Sequence, residues 1–240
     1  MASEFRFKHF SVINDKSAQK VGTDGVLLGS LATIAGNETR ILDIGTGTGL
    51  VALMLAQRTG VNCHIDALEI DETSAAEAKV NFSRSAWEDR LNVIPLSLQD
   101  FSANESYPGN PLKYSLIVSN PPYYDNSLKA PDARRAAARS TDSLSYREVI
   151  SFAHDFLDGE GRVVLVLPKQ DEKQLSRFAA SFGFFPVRVV NVRTTASKMP
   201  LRMVVELSRR KATVRTEELI LMENGSYTEQ YRNLTSDFYL

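Results

Sequence analysis

Residues 40–49 read RILDIGTGTG, and this stretch decides the fold class. Its first residues are apolar and predict a short buried strand. Residues 50–58 follow with apolar side chains at helical spacing, which predicts the start of a helix. A strand, a glycine-rich turn and a helix in this order are typical of the first unit of a doubly wound α/β sheet. The glycines let the backbone turn tightly or let a ligand approach closely.

An acidic residue, Asp43, ends the strand. A carboxylate at this point repels a pyrophosphate and attracts a cationic amino group. The dinucleotide pattern G-x-G-x-x-G, counted from Gly45, also requires a small residue where the chain has Leu50. The turn therefore favours S-adenosylmethionine over NAD.

Acidic residues also follow the next two predicted strands, at 63–69 and 91–96. Glu69 lies 20 residues after Gly49, where a carboxylate can accept both hydroxyls of a ribose. Asp100 follows the other strand, and its carboxylate can accept the exocyclic amine of an adenine. The alternative for either residue is an ordinary acid at a strand end or in a turn.

The second decisive stretch, Asn120-Pro121-Pro122-Tyr123, comes directly after a strand predicted at 114–119. Ligands in such sheets bind at the carboxyl ends of the strands. Because the prolines keep their carbonyls, a proline carbonyl and the Asn120 amide oxygen can both accept from one planar amino group. Two acceptors favour a more pyramidal nitrogen whose lone pair points at a methyl donor. Methyl transfer then depends on positioning and requires neither a metal nor a strong base. Tyr123 offers a face for a planar base, which must first leave its stack if it belongs to a nucleic acid.

The composition allows one large domain, 1–240, because 240 residues with 43 % hydrophobic side chains can bury a substantial core. The chain contains no apolar run of 18 residues and no apolar signal segment, so we expect a cytoplasmic protein without a membrane span. The net charge of −1 is unevenly distributed, since residues 129–139 carry +3 and residues 198–215 carry +5. This asymmetry suits a basic face for an anionic polymer, and the alternative is ordinary surface charge.

The remaining periodicities complete an α/β pattern. They predict helices at 25–35, 72–85, 145–157 and 171–182, a strand at 162–167, and an antiparallel pair at 185–193 and 203–209. They also predict a long loop at 124–145, an N-terminal extension over 1–38 and a tail over 219–240, with both ends packing on the core.

The order of these motifs resembles the class I S-adenosylmethionine-dependent methyltransferases that act on planar amines. Three further stretches resemble the bacterial tRNA1(Val) adenine-N6-methyltransferases, which modify adenine 37 beside the anticodon. These stretches are KVGTDGVLL at 20–28, the loop with Arg135, Arg139 and Ser145, and DFYL at 237–240. The resemblance covers essentially the whole chain.

The resemblance implies a single Rossmann-like domain with helices on both faces of a seven-stranded, mostly parallel sheet whose last strand is antiparallel. It implies S-adenosylmethionine as cofactor, tRNA as partner and no metal. The implied cofactor contacts are Asp43, Gly45, Gly47, Glu69, Asp100, Phe101 and Asn120, and the implied catalytic residues are Asn120, Pro121 and Tyr123. From the basic segments we expect tRNA contacts at Arg135, Arg139, Lys198 and Arg202. Lys20, Thr23 and Asp24 receive no role.

Three other functions remain open. Release-factor methyltransferases methylate a protein glutamine with the same Asn-Pro-Pro-Tyr motif, but they resemble this chain less because they carry a helical domain before the glycine turn. Only 42 residues precede Asp43 here. The second is methylation of a ribosomal RNA guanine at N2, where related enzymes tend to have Phe after the prolines. The third is RNA binding without catalysis. A protein of that kind would be expected to lose the glycines or Asn120, and both are intact here.

Overall fold

The described chain alternates strands and helices much as the sequence predicts. A computed structural model describes residues 4–17, 20–103, 113–122 and 144–240. The strands are β1 (Glu4–Arg6), β2 (Ser11–Ile13), β3 (Arg40–Ile44), β4 (His64–Leu68), β5 (Leu91–Ile94), β6 (Tyr114–Ser119), β7 (Leu157–Pro168), β8 (Phe185–Arg193), β9 (Arg202–Ser208), β10 (Arg215–Ile220), β11 (Met222–Glu223) and β12 (Ser226–Tyr227). The helices are α1 (Thr23–Leu31), α2 (Leu50–Arg58), α3 (Glu72–Ser83), α4 (Leu98–Ala103), α5 (Tyr146–Phe156), α6 (Glu172–Ser181) and α7 (Glu229–Thr235).

The central sheet has the spatial order β10-β8-β9-β7-β6-β3-β4-β5. Strand β9 runs antiparallel to both of its neighbours, and the other pairs in the sheet are parallel. The prediction of a mostly parallel α/β sheet is therefore confirmed. The carboxyl ends of β3, β4, β6 and β7 meet at one edge, where ligands bind in sheets of this kind. We call it the carboxyl edge.

The strand count differs from the prediction, because the sheet contains eight strands and not seven. The additional strand, β10, pairs in parallel with β8, so the antiparallel strand is the seventh of the eight along the chain. Two ion pairs join β10 to β8, at Arg188–Glu217 (2.7 Å) and Arg193–Glu218 (3.0 Å). Charged residues are typical of an edge strand, and here they conceal the apolar alternation that marks a strand in the sequence.

Successive side chains of the central strands enter two separate cores, one on each face of the sheet. Ile41 belongs to the core under α1 and α2, whereas Leu42 belongs to the core under α4, α5 and α6. The same alternation holds on β7, where Val164 faces the first core and Val163 the second. Helices therefore cover both faces, as predicted.

Both ends of the chain pack on the first core. Phe7 and Phe10 are buried in it together with Phe238. The Phe7 ring stacks on Tyr239 at 5.8 Å between centroids, and the Lys8 N–H donates to the Phe238 carbonyl (2.8 Å). The tail thus covers the β1–β2 hairpin. None of the helices in the described residues combines the length and the apolar character that crossing a membrane requires.

Candidate active site

The glycine turn lies at the carboxyl edge between β3 and α2. Gly45, Gly47 and Gly49 all have positive φ, between 57° and 82°. At Gly49 a Cβ atom would lie 2.5 Å from the Phe82 ring, so this position excludes any side chain. The N–H groups of Gly45 and Thr46 donate to the carbonyl of Leu68 (2.9 and 3.1 Å), which ties the turn to the end of β4. We call residues 45–49 the glycine loop.

The Asp43 carboxylate lies beneath the glycine loop and is only 2 % exposed. The Thr46 hydroxyl donates to Asp43 Oδ2 (2.6 Å), and the backbone N–H of Ala52 donates to the same carboxyl group. Burial nevertheless raises the pKa of Asp43 to about 7, because the charged form loses its hydration. Asp43 therefore holds the glycine loop to the first turn of α2, and its contact with a cofactor stays a prediction.

The Glu69 carboxylate joins the end of β4 to the glycine loop. Its Oε2 accepts the Gly47 N–H (2.8 Å) and its Oε1 accepts the Asp71 N–H (3.0 Å). Asp71 in turn caps α3 by accepting the Ser74 N–H (2.7 Å). The side chain of Glu69 is partly exposed at the carboxyl edge, so it lies where the sequence places it.

Asp100 and Phe101 lie on α4 and not in a turn. Asp100 is exposed near the start of the helix, where its Oδ2 accepts the Ser97 hydroxyl (2.6 Å) and its N–H donates to Ser97 Oγ (2.9 Å). The Phe101 ring is buried in the second core, 5.9 Å from the Phe152 ring. The two residues therefore differ in exposure: Asp100 is accessible to a ligand, whereas the Phe101 ring packs in the second core and supports α4. Their roles at a cofactor stay predictions.

Asn120 follows β6 directly, beside the glycine loop on the neighbouring strand. Ser119 pairs with Ile44 across the two strands, and its hydroxyl donates to the Ile44 carbonyl (2.7 Å). Asn120 is half-buried and Pro121 is buried. This places the amide of Asn120 at the same edge as Gly45 and Glu69. Tyr123, Arg135 and Arg139 lie outside the described residues.

The turn between β8 and β9, residues 194–201, also lies at the carboxyl edge, because Arg202 pairs with Pro168 at the end of β7. Lys198 is exposed on this turn. Arg202 is half-buried and forms an ion pair with Asp24 on α1 (2.7 Å between Nε and Oδ1). Asp24, which the sequence leaves without a role, therefore binds α1 to this edge.

The basic segment 198–215 does not form one face, which corrects the expectation from the sequence. Strand β9 runs away from the carboxyl edge, and its last residue, Ser208, pairs with Arg162 at the opposite edge. Arg209 and Lys211 follow there, with the Arg209 guanidinium over the Phe184 ring (4.6 Å) and the Lys211 amino group over Phe185 (4.7 Å). Only the first part of the segment lies near Asn120, because a strand separates the two groups of basic residues.

Two buried polar residues of α3, Glu77 and Asn81, were not identified from the sequence. They are 6 % and 1 % exposed, and they bond to residues 13–17 and to the glycine loop. A pattern in the sequence could have indicated them. Ser74, Glu77 and Asn81 recur at the spacing of one helix face, among alanines, which marks a polar stripe on that face. Their partners, however, lie between 33 and 68 residues away in the chain, and no local pattern indicates them.

Residues 17–191 match the family model of the methyltransferase small domain. Over 237 residues the chain is 44 % identical to a Bacteroides thetaiotaomicron protein described as tRNA1(Val) (adenine(37)-N6)-methyltransferase, which covers 98 % of this chain and 97 % of the relative. A Mannheimia succiniciproducens protein with the same description is 40 % identical, with coverage of 98 % and 94 %. The chain belongs to this methyltransferase family.

Solved structures show the same fold at low sequence identity. A predicted O-methyltransferase of Agrobacterium tumefaciens superposes on this methyltransferase with a TM-score of 0.66 at 19 % identity and covers 90 % of this chain and 96 % of its own. A Pyrococcus horikoshii protein solved in complex with MeSAdo gives a TM-score of 0.58 at 14 % identity, with coverage of 86 % and 70 %. The class I methyltransferase fold follows.

The cofactor of the methyltransferase is S-adenosylmethionine, and the side chains at the carboxyl edge fit it. Each oxygen of the Glu69 carboxylate accepts one backbone N–H, and each has a second lone pair for a hydroxyl donor. The group thus retains the acceptors that a ribose diol requires. Gly47 sits directly against Glu69 without a Cβ, so a ligand can approach the backbone closely. The described residues contain no cluster of three or more His, Cys, Asp or Glu side chains suited to a metal ion.

Proposed function

We propose that this methyltransferase transfers the methyl group of S-adenosylmethionine to N6 of adenine 37 in the anticodon loop of tRNA1(Val). Its relatives at 40–44 % identity carry that description over nearly the full length of the chain. The observation that supports the chemistry most directly is the position of Asn120, one residue beyond the Ser119–Ile44 bond that links β6 to the start of the glycine loop. A cofactor on the glycine loop and an amine at Asn120 would be neighbours.

The residues of the chain would act mainly by positioning. Bound S-adenosylmethionine supplies an electrophilic methyl group. Glu69 would accept the ribose hydroxyls and Asp100 the adenine amine, while Gly45 and Gly47 allow the backbone to approach. Asp43 would stay under the glycine loop and orient the methionine end through its charge.

At the substrate, the Asn120 amide oxygen and the Pro121 carbonyl would accept the two hydrogens of the adenine amino group. This arrangement reduces the delocalisation of the nitrogen lone pair and aims it at the methyl group. After transfer the nitrogen sheds a proton from a cationic state that is strongly acidic, so no strong base is needed. Tyr123, which lies outside the described residues, is proposed from the sequence as the surface on which the extruded adenine stacks.

The tRNA would meet the carboxyl edge through a small number of cations. Lys198 is exposed there and is the described residue best placed to contact a phosphate. Arg202 lies beside it but is already paired with Asp24, so we assign it to the support of the edge. Arg135 and Arg139 remain proposed contacts on sequence grounds. We infer a cytoplasmic location from the tRNA substrate, and we propose that residues 1–240 act as one domain because both ends pack on the first core.

The test is transfer of labelled methyl from S-adenosylmethionine to two transcripts, tRNA1(Val) and the same tRNA with guanine in place of adenine 37. We expect label in the first only, recovered as N6-methyladenosine by nucleoside mass analysis. Asn120→Ala is the matched enzyme control and should leave cofactor binding largely intact. Release factor and ribosomal RNA are offered as further acceptors in parallel reactions. Label in either of them, with none in tRNA, would replace the proposal by the corresponding alternative.

A further inference from the structure

We propose that Glu77 and Asn81 of α3 are positioning residues for the cofactor site. They hold residues 13–17, which we call the N-terminal strap, against the glycine loop, and they thereby place residues 20–24 at the carboxyl edge. The inference rests on the proposed function to the extent that the glycine loop binds the cofactor. It assigns a role to a stretch for which the sequence gives none.

The Glu77 carboxylate organises the strap through three consecutive backbone N–H groups. Its Oε1 accepts from Asp15 (2.8 Å) and Lys16 (2.9 Å), and its Oε2 accepts from Ser17 (3.0 Å). The side chain is only 6 % exposed, so the carboxylate loses its hydration on folding. The three N–H bonds compensate for the lost bonds to water. Three donors converging on one anion fix the local backbone conformation, which apolar packing alone does not do.

Asn81 connects the strap to the glycine loop. Its Oδ1 accepts the Ile13 N–H (2.8 Å), while its Nδ2 donates to the carbonyls of Ile13 (3.0 Å) and Thr48 (2.9 Å). One fully buried amide therefore bonds a strap residue and a residue between two of the positive-φ glycines. If the strap shifts, Asn81 must either lose its bonds to Ile13 or move with the strap and lose its bond to Thr48 in the glycine loop.

The strap leads directly to the edge where the cofactor would bind. At its end, the Ser17 hydroxyl lies 3.2 Å from the Ser74 hydroxyl in the first turn of α3. Lys20 then donates from Nζ to the carbonyls of Asn14 (2.7 Å) and Asp15 (2.9 Å), which secures the return of the chain toward α1.

The start of α1 lies against the start of α2, just beyond the glycine loop. A Cβ on Gly25 would lie 3.1 Å from the Leu50 side chain, and Asp24 is paired with Arg202 at the carboxyl edge. Ser17 thus lies at the first turn of α3, a turn that is close to Glu69 in the sequence, and Gly25 lies at the first turn of α2. These two helix starts flank the glycine loop, so the strap and the stretch at 20–24 border the cofactor site.

The test measures binding of S-adenosylhomocysteine by calorimetry together with amide hydrogen exchange, in the wild type and in Glu77→Gln. The amide of glutamine keeps the size of the side chain but replaces one acceptor oxygen with a donor that faces N–H groups. We expect a dissociation constant about tenfold higher for Glu77→Gln, the factor that results if the correctly placed strap is populated about a tenth of the time. We also expect the ligand to slow exchange of residues 13–17 in the wild type. Glu88→Gln, an exposed carboxylate just before β5 at the opposite edge of the sheet, is the matched control and should bind like the wild type.

A purely structural role predicts a different result, namely a lower melting temperature with an unchanged dissociation constant, and that result overturns the proposal. Exchange in residues 13–17 that does not respond to ligand in the wild type also overturns it. If Glu77→Gln does not fold, Lys20→Met tests the same strap, because it removes the Nζ bonds to the strap from an exposed position. An unchanged dissociation constant for Lys20→Met would also overturn the proposal. Failure of the wild type to bind S-adenosylhomocysteine would instead refute the proposed function.

Discussion

The buried Asp43 carboxylate predicts an unusual dependence of stability on pH. Burial raises its pKa from 3.8 to about 7, so between these values the folded protein holds a proton that the unfolded chain releases. Unfolding therefore becomes easier as the pH rises through this window, and the effect levels off above pH 7. This is opposite to the behaviour of Asp71, where the Ser74 N–H lowers the pKa and the stabilisation is lost as the pH falls.

The magnitude follows from the two pKa values. For a shift from 3.8 to about 7, the free energy of unfolding falls by about 3 kcal/mol between pH 5 and pH 8 from this group alone. Asp43→Asn cannot titrate, yet its amide oxygen can still accept from Thr46 or Ala52. The stability of the variant relative to the wild type should therefore increase by about 3 kcal/mol over the same range.

The assay is urea unfolding of both proteins, without cofactor, at several pH values from 5 to 8. Taking the difference between the two proteins cancels the groups that they share, including Asp71. A difference that stays constant with pH would refute the reasoning. It would mean that Thr46, Ala52 and the start of α2 stabilise the charged carboxylate enough to offset its burial, which keeps the pKa near its ordinary value.

The other predictions concern the two ligands. At pH 7, binding of S-adenosylmethionine should release about half a proton from Asp43 if the cofactor amine favours its charged form, as calorimetry in phosphate and Tris buffers would reveal; Asp43→Asn should release none from this site. Glu69→Ala should weaken cofactor binding by about 1–3 kcal/mol, the range for bonds to a charged group, and an unchanged affinity would remove Glu69 from the cofactor site. Asn120→Ala should lower kcat about 100–1000-fold while cofactor affinity changes only several-fold, and turnover near that of the wild type would make Asn120 a structural residue. Lys198→Ala should weaken tRNA binding and reduce the salt slope by about 1 unit, whereas Lys211→Ala, at the opposite edge, should leave both unchanged; equal slopes for both variants and the wild type would place the tRNA elsewhere.

Local signals in the sequence were sufficient for most of the fold. The bounds of β6, Tyr114–Ser119, agree with the prediction because an apolar run lies between polar residues. The capping box at the start of α5 is present, with the Ser145 and Glu148 side chains bonded to each other's backbone N–H. These features depend on neighbours within a few residues, so the sequence contains all the information that determines them.

Features that depend on distant partners were not predicted. Strand β10 is stabilised by Arg188 and Arg193 of β8, and the sequence of β10 alone reads as a charged surface segment. Glu77 acquires its role only from residues 13–17, which the fold brings to it across about 60 positions. The basic segment 198–215 was treated as one unit because charge was counted along the chain, whereas β9 carries its two halves to opposite edges.

The carboxylates near the carboxyl edge pose an electrostatic question for an enzyme whose proposed substrate is a polyanion. Asp43 and Glu77 are almost fully buried. Glu77 accepts backbone N–H groups, and Asp43 accepts the Thr46 hydroxyl and the Ala52 N–H, so each charge has hydrogen-bond donors around it. Burial holds part of the Asp43 population neutral near pH 7, because its pKa is raised to about that value. The more exposed acids, Glu69 and Asp100, are the ones that would face the ribose and the adenine of the cofactor. Bound S-adenosylmethionine is a net cation, because its sulfonium and ammonium outweigh its carboxylate. It would offset part of the negative charge before the phosphates approach, and screening over about 8–10 Å limits what remains. The same acidic groups can therefore organise the backbone and attract the cofactor without excluding an RNA, provided that the cofactor binds first.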